Sequence, residues 1–158
     1  IGQGAVDGGH GMSSTIDSNI KKNCIELPVF EETQTGIALG MGLAGKNIMS
    51  IYPRFDFFIS GLSQLINHSD KLDQMSGGKF KPNIIFRVGV GSKFPIDAGP
   101  QHTNNYTEQI KKMLVNIKVH EFIKGSNPSI VFEDIILKGG IHLLIEHYEF
   151  YGDIVCGN

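Results

Sequence analysis

The 158-residue sequence has no tryptophan, two cysteines, two arginines and no long apolar run. Its apolar runs are too short to cross a bilayer as a helix, so we expect no membrane-spanning segment. The net charge of −2 excludes the basic excess that is typical of nucleic-acid-binding surfaces. Cys24 and Cys156 show no metal-site spacing, and we expect free thiols. The remaining composition, 41% hydrophobic and 19% charged, is typical of a soluble globular domain.

Glycine, in contrast, is abundant, and Gly40 to Gly45 spell the dinucleotide-binding pattern G-x-G-x-x-G. That pattern binds a pyrophosphate only where it follows a strand and opens a helix. Here it lies late in a predicted helix, so we expect no dinucleotide site. Gly36, Gly40 and Ala44 recur every four residues, which predicts a helix face that packs closely, including across a subunit interface.

Apolar runs and helical apolar faces alternate along the chain, and no two predicted strands are joined by a two-residue turn. This alternation predicts one domain over residues 1–158, an α/β doubly wound fold with a mainly parallel sheet and helices on both faces. Residues 5–23 and 89–104 are expected to be long loops. The predicted strands are 24–29, 48–52, 84–88, 117–122 and 141–147, and the predicted helices are 32–44, 56–73, 106–114 and 128–139.

A few charged residues stand out by position. Glu31 follows the first predicted strand, at the sheet edge where ligands bind in α/β proteins. Its carboxylate either caps the next helix or works as an acid or base. Arg54 can meet an anionic substrate or a diphosphate, or form an interface salt bridge. Arg87, inside a strand, indicates a structural ion pair, and His10 is a weaker candidate on the first loop.

Several stretches together resemble one family, the pyrimidine-binding domain of the β subunit of 2-oxoacid dehydrogenase E1 components. The wider group includes transketolase and deoxyxylulose-phosphate synthase. The resemblance runs from Ile1 to about Asp153, with its pieces in the family's order and spacing. Those pieces are ELPVFEETQTGIALGMGLAG, YPRFDFFISGLSQLINHSDK, MSGGKFKPNIIFRV, GPQHTNNY and IKVHEF…IEHYEFYG.

The resemblance implies a thiamine-diphosphate enzyme that decarboxylates a 2-oxo acid, and it implies a role for three residues. Glu31 matches the glutamate that hydrogen-bonds the pyrimidine nitrogen of the cofactor. Phe57 matches the aromatic residue that stacks on the pyrimidine, although it can also be a core residue of its helix. His102 matches an active-site histidine near the substrate, although a histidine in a loop can also be merely exposed.

The family's diphosphate pattern, G-D-G followed by N-N, is missing from this sequence. The resemblance therefore implies a diphosphate-binding α-type partner that holds Mg²⁺, with no metal ligand in this chain, and homo- and hetero-oligomers in a bacterial cytosol or an organellar matrix. The chain begins with Ile1 instead of Met, and we expect the start of the domain and a C-terminal domain to lie outside it. Transketolase-type ketol transfer, a noncatalytic scaffolding or regulatory domain and a flavodoxin-like small-ligand binder remain as alternatives.

Overall fold

A computed structural model describes residues 1–6, 12–13, 16–94 and 97–151. A parallel sheet with the strand order β1-β2-β4-β3 forms its centre. The predicted α/β fold with a parallel sheet is therefore confirmed. The strands are β1 (Ile48–Tyr52), β2 (Ile84–Val90), β3 (Lys118–Phe122) and β4 (Ile141–His147).

Helices cover both faces of this sheet. The register aligns Ser50, Phe86 and Leu143, so these side chains share the face on which α1 and α2 pack. On the opposite face, Phe132 of α5 contacts Phe122 of β3, with ring centroids 6.1 Å apart. The helices are α1 (Glu31–Leu43), α2 (Phe55–Phe58), α3 (Leu72–Ser76), α4 (Thr107–Met113) and α5 (Pro128–Lys138).

The prediction of a buried strand at 24–29 is wrong. The segment makes one isolated bridge, between Glu26 and Gly2, and Gly2 in turn bridges Ile51 of β1. Pro28 has no N–H to extend the pairing. Most side chains of the segment are exposed, so its apolar character does not indicate a core strand.

The single helix predicted over 56–73 is divided. After α2 come a 3-10 turn at Ile59–Gly61, a π-helix at Gln64–Ser69 and then α3. The buried Asp70 carboxylate, just after the π-helix, accepts hydrogen bonds from backbone N–H groups of residues 115–117 at 2.8–3.2 Å. This tertiary contact accompanies a local change of helix type that apolar periodicity does not report.

The glycines late in α1 have different surroundings from those predicted. A Cβ on Gly40 would meet no atom within 4 Å, whereas a Cβ on Gly42 would lie 2.7 Å from the Ile84 side chain. Close packing within the described residues therefore occurs at Gly42, and the predicted face through Gly40 makes no such contact there. Both glycines lie near the end of a helix, where backbone N–H groups do not point outward to a phosphate.

Arg87 forms the expected buried ion pair. Its guanidinium donates two hydrogen bonds to the Glu146 carboxylate, one of them at 2.8 Å, and a third to the Met12 carbonyl oxygen at 3.1 Å. Burial alone would lower the pKa of Arg87, but the bonds to Glu146 outweigh it and raise that pKa. The Tyr151 hydroxyl donates to the same carboxylate. The pair thus ties the end of β4 to the middle of β2.

Two further expectations concern features away from the sheet. Cys24 is a free thiol, whereas Cys156 and His10 lie outside the described residues. None of the helices in the described ranges has the length and apolar character needed to cross a membrane.

Replacing Glu146 by Gln should destabilise the fold by about 3–5 kcal/mol, because a buried guanidinium would lose its countercharge. Urea unfolding followed by circular dichroism measures this free energy. The double variant Arg87→Met/Glu146→Leu removes both charges and should be clearly more stable than Glu146→Gln. Equal loss in the two variants would contradict a charge effect and indicate lost packing instead.

Candidate functional site

Glu31 is the first residue of α1, and its carboxylate accepts one long hydrogen bond within the described residues. Phe30 occupies the N-cap position, and no side chain caps the helix. The only hydrogen-bond donor near the carboxylate within the described residues is the Ser60 hydroxyl, 3.4 Å from Oε2. The single proton of that hydroxyl has a better acceptor in the Phe57 carbonyl oxygen at 2.8 Å. Glu31 is thus not a helix cap, and its oxygens remain available to a ligand.

Phe57 points out of the core. Its neighbours in α2, Phe55 and Phe58, are fully buried, whereas Phe57 is 41% exposed. Its ring meets the His102 ring edge to face, with centroids 5.2 Å apart and planes at 86°. The interpretation of Phe57 as a core residue is therefore wrong. The Ser60 hydroxyl lies between the Phe57 carbonyl oxygen and the Glu31 carboxylate. The structure thus brings Phe57 into contact with His102 and its main chain near Glu31, and no direct contact between Glu31 and His102 is seen in the described residues.

His102 is held against α2 by main-chain and side-chain contacts. The His102 N–H donates to Gly99 at 3.0 Å, and the Asn104 amide donates to Asp56 Oδ1 and to the Pro100 carbonyl oxygen, both at 2.5 Å. A Cβ on Gly91, just after β2, would collide with the His102 carbonyl oxygen. Glycine at this position therefore lets the His102 turn lie directly on the end of β2.

Arg54 lies at the N-cap of α2, and its guanidinium is already engaged by neighbouring groups. Its guanidinium donates to the Pro53 carbonyl oxygen at 2.9 Å and lies 4.9 Å from the centre of the Tyr148 ring. The Tyr148 hydroxyl donates to the same carbonyl oxygen at 2.7 Å. Burial raises the pKa of Tyr148 to about 12, although Arg54 acts in the opposite direction. The structure thus engages Arg54 in holding the end of β4, and a ligand would have to compete for it.

One polar cluster at the same edge was not predicted. Glu121 of β3 and His147 of β4 lie 2.9 Å apart, and Asn105 donates to Glu121 at 3.0 Å. Burial would raise the pKa of Glu121, but the hydrogen bonds from His147 and Asn105 outweigh it and lower that pKa. No local pattern links residues 26 positions apart, so the sequence carries no signal for this pair.

No metal site is apparent in the described part of the chain. No group of three or more His, Cys, Asp or Glu side chains within it could hold a metal ion. The carboxyl edge of the sheet offers an available carboxylate, an exposed aromatic ring and an imidazole. Groups of this kind suit a flat aromatic ligand with a ring nitrogen.

The sequence of this chain is similar to the sequences of several curated proteins. Residues of the chain are 33% identical over 86 positions to the pyruvate dehydrogenase E1 component subunit beta of Rickettsia conorii, which covers 54% of the chain and 26% of that subunit. The Rickettsia bellii subunit is 26% identical over 145 positions, covering 81% of the chain and 42% of the subunit. The Bos taurus mitochondrial subunit is 26% identical over 132 positions, covering 75% and 36%.

These relatives confirm the resemblance to E1 β subunits, and the chain is homologous to part of them. The matched regions span between about a quarter and two fifths of the length of these relatives. No family model matches the chain.

Gly91→Ala should displace the His102 turn, because the added methyl group has no space beside the His102 carbonyl oxygen. We expect the His102 ring protons to lose the ring-current shift that the Phe57 ring causes, as measured by proton NMR. Overpacking should also cost about 1–3 kcal/mol in the free energy of unfolding.

Gly40→Ala is the matched control for this change. The added methyl group lies in open space on a helix, so it should stabilise the protein by about 0.5–1 kcal/mol and leave the His102 shifts unchanged. Unchanged His102 shifts in Gly91→Ala would contradict the role of Gly91.

Proposed function

We propose that this chain is the pyrimidine-binding part of a thiamine-diphosphate-dependent enzyme that acts on a 2-oxo acid, as in the E1 β type, and works with a partner chain. The proposal depends on one observation: the Glu31 carboxylate does not cap its helix, and the aromatic ring of Phe57, in the segment next to it, faces outward. The relationship to pyruvate dehydrogenase E1 β subunits supports the same conclusion.

The residues present fit the aminopyrimidine of this cofactor. A pyrimidine is flat and aromatic, and the partly exposed Phe57 ring offers a stacking surface that fixes its orientation. A ring nitrogen that carries a proton needs a nearby acceptor. The Glu31 carboxylate is available for this, because the Ser60 hydroxyl, its only near donor in the described part of the chain, has a better acceptor in the Phe57 carbonyl oxygen. Phe57 would therefore orient the ring and Glu31 would hold a proton at its nitrogen.

When bound, thiamine diphosphate supplies the carbon nucleophile for cleavage next to the 2-oxo group. This chain contributes orientation and proton control. Glu31 would hold a proton at the pyrimidine nitrogen, and His102, beside Phe57, would donate a hydrogen bond or a proton to the substrate. To bind an anionic substrate or a diphosphate, the Arg54 guanidinium would have to move away from the Tyr148 ring.

A partner chain is the second part of the proposal. Exposed apolar side chains precede Glu31 and its neighbour Ser60 in the chain, and clusters of this kind mark protein contacts. They are Val29, Phe30, Phe57 and Ile59. The sequence lacks the diphosphate pattern, so we assign the diphosphate and Mg²⁺ to an α-type subunit that covers this surface. A bacterial cytosol or an organellar matrix would suit such an assembly.

Ketol transfer on sugar phosphates fits the chain less well. A phosphate needs cationic donors near the pocket, and arginine is the side chain best shaped for it. Arg87 is bound to Glu146, and Arg54 lies over Tyr148. Both arginines of the sequence are therefore already engaged.

Glu31→Gln should reduce turnover of a 2-oxo acid by at least a hundredfold, because the amide keeps the size but cannot exchange the proton. The measurement is decarboxylation of pyruvate by the chain combined with its native partner. Glu32→Gln, one position along the same helix, is the control and should retain activity. Near-normal turnover of Glu31→Gln would refute the mechanism.

The assembly is tested by calorimetric titration of thiamine diphosphate with Mg²⁺. The titrant is added to the chain alone and to the complex recovered with it from its native source. We expect binding in the complex only. Tight binding to the chain alone would place the diphosphate site here, and no binding in either sample would favour a noncatalytic scaffold.

A further inference from the structure

We propose that a buried chain of hydrogen bonds, from Gln34 through Ser50 and Tyr52 to Thr35, fixes the main chain of Glu31 and makes Thr35 and Tyr52 positioning residues. We name this chain the hydroxyl relay. Its last bond joins the Thr35 hydroxyl to the Glu31 carbonyl oxygen at 2.7 Å. The relevance to catalysis rests on the proposed function, whereas the effect on the main chain does not.

The direction of every bond in the hydroxyl relay follows from the number of protons. A carbonyl oxygen can only accept, so the Thr35 hydroxyl donates its single proton to the Glu31 carbonyl oxygen. The Tyr52 hydroxyl, 2.8 Å away, must therefore donate to Thr35. Ser50 then donates to Tyr52 at 3.0 Å. The Gln34 amide completes the relay by donating one proton to Ser50 at 3.0 Å and the other to the Ile51 carbonyl oxygen at 2.8 Å.

Burial makes the hydroxyl relay hard to replace by water. All four members are buried, with exposed fractions of 0–2%. The Tyr52 ring packs against Phe58, with centroids 4.5 Å apart, and burial raises the pKa of Tyr52, so its hydroxyl keeps the proton that it donates. A missing member would leave a buried partner unsatisfied, which costs more than the bond itself contributes.

A second contact holds the same turn from another side. A Cβ on Gly61 would lie 2.7 Å from Thr35 Oγ1 and 3.1 Å from the Glu31 carbonyl oxygen. The first turn of α1 is thus enclosed by the Gly61 backbone and by the hydroxyl relay. The carboxylate of Glu31 stays uncommitted while the main chain that carries it is fixed, which is the arrangement that a preorganised site requires.

The test compares Thr35→Val with Thr35→Ser in the full chain. Valine keeps the shape of threonine but removes the hydroxyl, whereas serine keeps the hydroxyl and removes a methyl group. We expect amide hydrogen exchange at residues 35 and 36 to be about tenfold faster in Thr35→Val and in Tyr52→Phe, and near normal in Thr35→Ser. Tyr106→Phe, which removes a tyrosine hydroxyl elsewhere, should leave this exchange unchanged.

A packing role for Thr35 predicts the reverse order, with serine more harmful than valine. That order, or unchanged exchange in both Thr35→Val and Tyr52→Phe, would overturn the hydroxyl relay. In the partnered enzyme, Thr35→Val should lower kcat about tenfold with little change in KM, and Thr35→Ser should restore it. If exchange responds as expected but Glu31→Gln retains full turnover, the proposed function fails while the main-chain role stands.

Discussion

Parallel pairing of β1, β2 and β4 is the constraint on which the site depends. Parallel strands run in one direction, so the chain leaves each of them at the same edge of the sheet. Pro53 after β1 and Tyr148 after β4 meet there through a 2.7 Å hydrogen bond, and Gly91 after β2 lies against His102. The segment around Glu26 is also parallel to β1 by way of Gly2, which brings Glu31 to this edge.

The four predicted strands that have a complete partner are present in the sheet, with β2 and β3 differing from the predicted bounds by one or two residues. The bounds of β1 and β4 agree with the prediction, because short apolar runs end where pairing ends. The run at 24–29 is equally apolar, yet it pairs only with Gly2. Periodicity reports which side chains avoid water, but it does not report how many strands are available for pairing. The prediction of one helix over 56–73 was wrong for a related reason. Asp70 is bonded to the backbone of residues 115–117, and periodicity within 56–73 does not report a contact with a distant segment.

The types of the site residues could be read from the sequence, but their contacts could not. The sequence left two roles open for Glu31, and one residue of helix position excludes the first: with Phe30 as the N-cap, Glu31 begins the helix and does not cap it. The contact between Phe57 and His102 joins positions 45 residues apart. The His102 turn also lies so close to position 91 that a side chain there would collide with the His102 carbonyl oxygen. Gln34, Thr35, Ser50 and Tyr52 are ordinary polar residues until the fold places them in one line.

The missing side-chain cap of α1 and the hydroxyl relay belong to one arrangement. A carboxylate that caps a helix spends its acceptors on backbone N–H groups and has less to offer a ligand. A first turn without a cap, however, is prone to fray. The bond from Thr35 to the Glu31 carbonyl oxygen and the close approach of Gly61 restrain that turn through its main chain instead. The helix can therefore remain ordered at its first residue while the Glu31 carboxylate stays free to bind.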